Sequence, residues 1–285
     1  MAKYLDPKAD LTFKKVFGEH PNLVASLLNS LLPLPAGEEI ADIEYMSPER
    51  VPRTSIGKNS IVDVFCKTKD GRKFIVEMQM EWRANFKQRV LLNASKAYVK
   101  QLPRGNDYNL LQPVYSLNLV NETFEPDMEE YYHYYRLVHY LHSDKVLEGL
   151  HLVLVELPKF KAKNLTEKKM QVLWLRFLTE IGEATKEVPQ DLVDNPHVNE
   201  ALEIVEESAL SDEERARYDG FWDLVSREAT KEAEMKAAIA ERDAAKERLR
   251  QTVCNLKEVG MSVEQISKVT GLKPTEVETL WGYTK

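Results

Sequence analysis

Apolar residues recur at helical spacing at the front of the chain, where Leu11, Phe13, Val16 and Phe17 form one stripe and Leu23, Leu27, Leu28, Leu31 and Leu32 another. Two short helices are predicted from Asp10 to Leu32, parted between Gly18 and Pro21 and stopped by Pro33 and Pro35. The period then changes: Ile40 to Met46, Ser60 to Thr68 and Lys73 to Met80 carry strand character. A long helix is predicted from Trp82 or Ala84 to Leu102, with Leu91, Leu92, Ala94, Ala97 and Tyr98 facing inward and Pro103 and Gly105 ending it. Pro113 to Val120 reads as a short buried strand, and Tyr131 to Tyr140 and Gly149 to Leu157 as further strands. The order α-β-β-β-α-β predicts an α/β fold for this half of the chain.

After Pro158 the pattern is helical only, over Glu167 to Ile181, Asn199 to Leu210 and a charged stretch from Ser211 to Val259. Met235, Ile239, Leu249, Val253 and Leu256 keep heptad spacing only in part, because Arg242 and Lys246 stand where a clean seam would be apolar. A solvated helix fits better than a strong coiled coil. Gly260 then breaks the helix, Ser262-Val263-Glu264-Gln265 is a capping box, Thr270-Gly271 a turn, and Pro274 sits where a helix begins. Ile266, Val269, Leu272, Val277 and Leu280 would pack this helix-turn-helix-like tail, leaving Lys268, Lys273 and Thr275 exposed; a plain helical hairpin for oligomer contacts has the same spacing. The changes of pattern divide the chain into a mixed α/β part at 1–160, a helical extension at 161–210, a long charged helix at 211–259 and the tail at 260–285.

Composition narrows the class of protein. Hydrophobic residues make up 43% and charged residues 30%, which suits a globular chain and argues against wholesale disorder. No run approaches the ~18 apolar residues of a membrane span, and the start lacks the apolar stretch of a secretory signal, so a cytoplasmic location is expected. Cys66 and Cys254 are the two cysteines, far apart, and support neither a disulfide framework nor a zinc site. Net charge is -7, yet residues 1–120 hold 17 Lys and Arg against 13 Asp and Glu, so the acidity lies downstream and the front half remains compatible with DNA. The run Tyr131-Tyr132-His133-Tyr134-Tyr135, with His139 and His142 after it, reads as ordinary sheet residues, because the three histidines lack acidic or Cys partners at ligand spacing.

Candidate chemistry lies between Asp63 and Gln79, where two strands flank Asp70-Gly71. A two-residue loop would set Asp63 opposite Met78, on the wrong face for Glu77. A three-residue loop, Lys69-Asp70-Gly71 with Gly71 left-handed, sets Asp63 opposite Glu77, and Gln79 shares that face. Two carboxylates and an amide on otherwise apolar strands suit Mg²⁺ or Mn²⁺, hard cations that take oxygen ligands. The same spacing also fits a wet sheet surface on which Asp63 and Glu77 pair with Lys or Arg.

Asp63 followed by Glu77-Met78-Gln79 resembles the D…E-x-Q form of the PD-(D/E)XK nuclease site, in the Rpn family of recombination-promoting nucleases and transposases. Asp10 to Gly18, Leu28-Asn29-Ser30-Leu31-Leu32, Arg89, Tyr98 and Val155 to Phe160 resemble further pieces of that family in order, and the resemblance covers about residues 4 to 260. It implies a restriction-endonuclease-like αβββαβ core within a nuclease-like domain at 1–160, and Mg²⁺-dependent cleavage of DNA. It implies that Asp63, Glu77 and the Met78 carbonyl hold the metal. Gln79, where the wider superfamily usually has Lys, would position by hydrogen bonds, since an amide carries no charge. Asp10 is a candidate fourth metal ligand or simply an N-cap. Lys14 and Arg89 are candidate phosphate contacts or members of a solvated helix face. A homo-oligomer through the C-terminal helices is expected, and the alternative function is a DNA-binding or regulatory protein that keeps the fold with little catalysis.

Overall fold

The computed structural model describes residues 3–46, 64–80, 85–102, 107–162 and 169–282, with backbone only at 232, 281 and 282. α1 (Asp10–Glu19) and α2 (Pro21–Leu31) bury the two predicted stripes except for Leu11, which is half-buried, and Pro21 at the start of α2 places a residue without an N–H where the helix has no partner for one. β1 (Glu44–Tyr45), β2 (Val64–Lys67) and β3 (Lys73–Gln79) follow as an antiparallel set. α3 (Phe86–Val99) then crosses over to β4 (Val114–Val120), which therefore lies parallel to β3. β6 (His142–Glu156) is parallel to β4 on its other side, and β5 (Tyr132–His139) pairs antiparallel with β6. Among the described residues these strands form one six-stranded sheet in the order β1-β2-β3-β4-β6-β5.

The sheet is covered on both faces, which explains why every residue of β4 is buried. Phe74, Val76, Leu117, Leu119, Val153 and Val155 pack on one side against α1, α2 and α4 (Lys169–Glu180). Trp174 of α4 meets Phe17 edge-on at 5.4 Å between ring centroids and donates its indole N–H to Ser26 Oγ at 3.0 Å. α5 (Gln190–Val193) and α6 (Pro196–Ile204) add Leu192, Val198, Ala201 and Leu202 to the same core. On the opposite side α3 lays Ala94 and Ala97 against Phe65, Ile75 and Val114, and Phe86 and Val90 against Val120 and Leu154.

Two compact units result, Met1–Phe221 and Trp222–Lys285. Residues 160 and 210, where the sequence pattern changes, both fall inside the first. α7 (Asp212–Glu258) begins in the first unit and continues into the second. In the second unit Val253, Ile266 and Val277 form a small core between the end of α7, α8 (Val263–Thr270) and α9 (Pro274–Gly282). The predicted capping box is formed by Ser262 and Gln265, and Gly271 ends α8 at φ +75°, a conformation that glycine adopts without steric cost. Among the described residues no helix is long and apolar enough to cross a membrane.

Several expectations are corrected. The strand expected over Ile40 to Met46 is reduced to Glu44–Tyr45, and β6 starts at His142, seven residues before Gly149. The helix expected from Asn199 spans Pro196–Ile204 and is followed by a short 3₁₀ turn, Glu207–Ala209. Leu91 and Leu92 of α3 are each 49% exposed: the inward stripe is Phe86, Val90, Asn93, Ala94 and Ala97, and it leaves no room for two adjacent leucines. Val269 is also exposed, although it stands only three residues after the buried Ile266 of α8. Asp10 is not the N-cap. Ala9 is, and Asp10 sits in the first turn, where a carboxylate is still favoured by the helix dipole.

Candidate active site

β3 brings the E-x-Q residues to the carboxyl end of a central strand. Its alternation sends Phe74, Val76 and Met78 toward the main core and leaves Ile75, Glu77 and Gln79 on the face covered by α3. The hairpin before it is pinned at its turn, where Gly71 N–H donates to the Thr68 carbonyl and Thr68 N–H to the Arg72 carbonyl, each at 3.0 Å. Gly71 takes φ +92°, the positive φ that the sequence required of it. The described pairs, from Lys67↔Lys73 to Val64↔Val76, keep the register of the three-residue loop. Asp63, the next residue outward, lies outside the described residues.

Glu77 is only 5% exposed. Burying a carboxylate costs several kcal/mol unless nearby dipoles or charges offset it, and α3 supplies both kinds of group. Asn93 Nδ2 donates to Glu77 Oε1 at 2.8 Å, and Arg89 Nη2 lies 3.9 Å from Glu77 Oε2. Arg89 and Asn93 are one helical turn apart, so they share a face of α3 and reach the two oxygens of one carboxylate. The same Nη2 of Arg89 donates to Gln79 Oε1, and the guanidinium carbon stands 4.9 Å from the centroid of the Phe86 ring. On the neighbouring strand Asn118 is in register with Glu77 and fully buried; its Nδ2 donates to the Val153 carbonyl at 3.0 Å, while its Oδ1 has no hydrogen-bond partner among the described residues.

The structure thus joins Glu77, Gln79 and Arg89. Asp10 and Lys14 form an i,i+4 pair on α1, with Lys14 Nζ 2.5 Å from Asp10 Oδ1. Among the described residues no three His, Cys, Asp or Glu side chains converge on one point. Asn93 is the residue that sequence reasoning missed. Its signal was an amide within the apolar stripe of α3, since a polar residue at an inward position requires a partner.

A second buried carboxylate lies at the same end of this face. Glu156 is in register with Val120, which in turn faces Gln79. Its Oε1 is 2.8 Å from His133 Nε2 and 3.0 Å from Lys159 Nζ, and its Oε2 accepts from the Phe124 N–H at 3.0 Å. Lys159 Nζ also donates to the Met128 carbonyl at 2.7 Å and to the Glu125 carbonyl, and Lys87 of α3 pairs with the Glu125 carboxylate. Asn121 N–H donates to the Gln79 carbonyl at 2.8 Å, so the segment from Asn121 to Met128 is tied to the strand that carries Glu77.

A family model described as PD-(D/E)XK nuclease family transposase matches residues 7–224. The chain belongs to that family. The matched residues run through the whole sheet, α3 and the helices of the main core. No curated protein and no solved structure matches the chain.

Proposed function

We propose that this member of the PD-(D/E)XK nuclease family transposases is a Mg²⁺-dependent DNA endonuclease, with Mn²⁺ able to substitute, acting on mobile or recombining DNA. The observation that carries the reading is Glu77: a carboxylate buried at the end of a central strand, oriented by an amide and faced by an arginine. The order α1, β1, β2, β3, α3, β4 supports a restriction-endonuclease-like αβββαβ core, with the C-terminal helices as an extension.

The donor atoms fit a hard divalent cation. Glu77 offers carboxylate oxygen. The Gln79 carbonyl is taken by Asn121, so by the alternation of carbonyls along a strand the Met78 carbonyl faces the β2 side of β3. Asn118 Oδ1 is a further buried oxygen on the adjacent strand. Asp63, Glu77 and the Met78 carbonyl would hold the ion, with Asp10 as an added acid. When bound, such an ion supplies Lewis-acid polarisation of a phosphate and a hydroxide nucleophile near neutral pH. The chain's own residues do the rest: Asn93 orients Glu77, Gln79 positions by hydrogen bonds, and Lys14 and Arg89 contact phosphate. Two copies joined through the C-terminal helices would supply the two sites of a double-strand cut.

Supercoiled plasmid incubated with the full chain and Mg²⁺, Mn²⁺, Ca²⁺ or EDTA tests this reading. Nicked or linear DNA is expected with Mg²⁺ and Mn²⁺ alone and should vanish in Asp63→Ala and Glu77→Ala proteins that keep their fold. A wild type that never cuts, or variants that cut equally well, would end it.

A further inference from the structure

Gln79 occupies the position that usually carries a lysine, yet the site is not without a cation. The Gln79 side chain holds one. Arg89 Nη2 is hydrogen-bonded to Gln79 Oε1 and stands 3.9 Å from Glu77 Oε2, with the Phe86 ring beneath the guanidinium. The three contacts fix the guanidinium from the strand, from the carboxylate and from α3 itself. Its position is nonetheless open, since the Arg89 side chain is 40% exposed. A guanidinium has five N–H donors in a planar fork, and among the described residues its contacts with Gln79 and Glu77 engage Nη2, so Nε and Nη1 can face an anion.

We infer that Arg89 is a catalytic residue that supplies, from α3, the positive charge a lysine at position 79 would have supplied, and that Gln79 is the positioning residue that aims it at the scissile phosphate. This rests on the endonuclease reading and names how that site stabilises charge. In the hydrolysis a bond forms from a water oxygen to phosphorus and one P–O ester bond breaks. The water gives up a proton to solvent, the departing oxygen gains one, and no oxidant or reductant is involved. Charge grows on the phosphoryl oxygens as this happens, and a pre-placed guanidinium stabilises it with little reorganisation. An arginine also tolerates the neighbouring carboxylate, because the Glu77 charge favours a cation at that distance.

The test is single-turnover plasmid cleavage by the full chain, with Mn²⁺ affinity read separately by electron paramagnetic resonance. Arg89→Ala is expected to slow cleavage by about 100-fold or more, with Mn²⁺ affinity equal to the wild type or tighter, because a cation near Glu77 has gone. Gln79→Ala should slow cleavage less, and the double variant Gln79→Ala/Arg89→Ala should be no slower than Arg89→Ala, since Gln79 acts through Arg89. Gln79→Lys in the Arg89→Ala background should recover about tenfold or more of the loss by restoring a cation on β3. The inference is overturned if Arg89→Ala cuts within about threefold of wild type, if it loses Mn²⁺ binding together with activity, if the two alanine effects multiply, or if the lysine restores nothing. In each of those outcomes wild type still cuts and the endonuclease reading survives; a silent wild type overturns both.

Discussion

Glu77 and Glu156 are buried in the same face of one sheet, at the same end, and the fold surrounds them differently. Glu156 is fully buried and meets His133, the Lys159 ammonium and a backbone N–H within hydrogen-bond distance. Lys159 is in turn saturated by two carbonyls, and the whole cluster fastens the segment after β4. Around Glu77 the described partners are a neutral amide at 2.8 Å and a cation held off at 3.9 Å by its own bond to Gln79. A carboxylate bonded directly to a lysine ammonium, as Glu156 is, is a structural tie. Among the described contacts of Glu77, the group within hydrogen-bond distance is an amide, which orients the carboxylate without adding charge.

The sharpest way to break this contrast is to neutralise each acid in turn. Glu77→Gln should lower plasmid cleavage on the order of 10³-fold or more while leaving urea-unfolding stability near that of wild type. Glu156→Gln should do the reverse. It strands Lys159 against two carbonyls with no anion, and loss of one partner of a buried pair costs about 3–5 kcal/mol, read as an earlier urea midpoint with cleavage per folded molecule retained. Equal stability losses in the two variants would erase the distinction.

A finer cut concerns Asn93. Asn93→Ala removes the amide from Glu77 Oε1 and should cost about 1–3 kcal/mol of stability. Asn93→Asp, which brings a second carboxylate to that oxygen, should weaken Mn²⁺-free stability further as pH rises, because two acids at that distance resist ionising together. If the aspartate variant were the more stable at neutral pH, the amide would not be orienting the acid.

The smallest expected effect lies on the far face, at His151. Its ring stacks on Tyr115 at 4.4 Å between centroids, and its Nδ1 is 2.6 Å from the Tyr134 hydroxyl. Burial pushes the imidazole below the usual histidine range, with Glu148 pulling the other way. The unfolded chain binds this proton near pH 6.5, whereas the folded chain binds it only at lower pH. Unfolding therefore takes up a proton in that window, and stability falls as pH drops through it; above it both states are neutral and the group contributes nothing. His151→Phe should flatten the fall in urea midpoint between about pH 7 and about pH 5. An unchanged slope would assign the pH dependence elsewhere.

Much of this was legible in local chemistry. The positive φ at Gly71, the register of β2 on β3, the shared face of Glu77 and Gln79, and the Ser262 to Gln265 cap each follow from two to four adjacent residues. What escaped depends on residues distant in sequence. The outer part of β6 carries exposed residues paired only with β5, so no apolar alternation announced it. Leu91 and Leu92 look like core until the sheet chooses which side of α3 it meets. The bonds from α3 to the site are of the same kind: Arg89 reads as a surface residue and Asn93 as a misplaced one until Glu77 is beneath them.

Cys66 lies on β2, wholly enclosed between α1, α2 and the sheet, and burial raises its thiol well above the ordinary cysteine range. Only a thiolate reacts with an alkylating reagent, so the sulfur is inert for as long as the hairpin stays closed. Its rate of labelling is consequently a clock for the opening of the strands that frame Glu77. The molecule carries its own probe of how often its candidate site comes apart, one strand away from the residue whose geometry matters most.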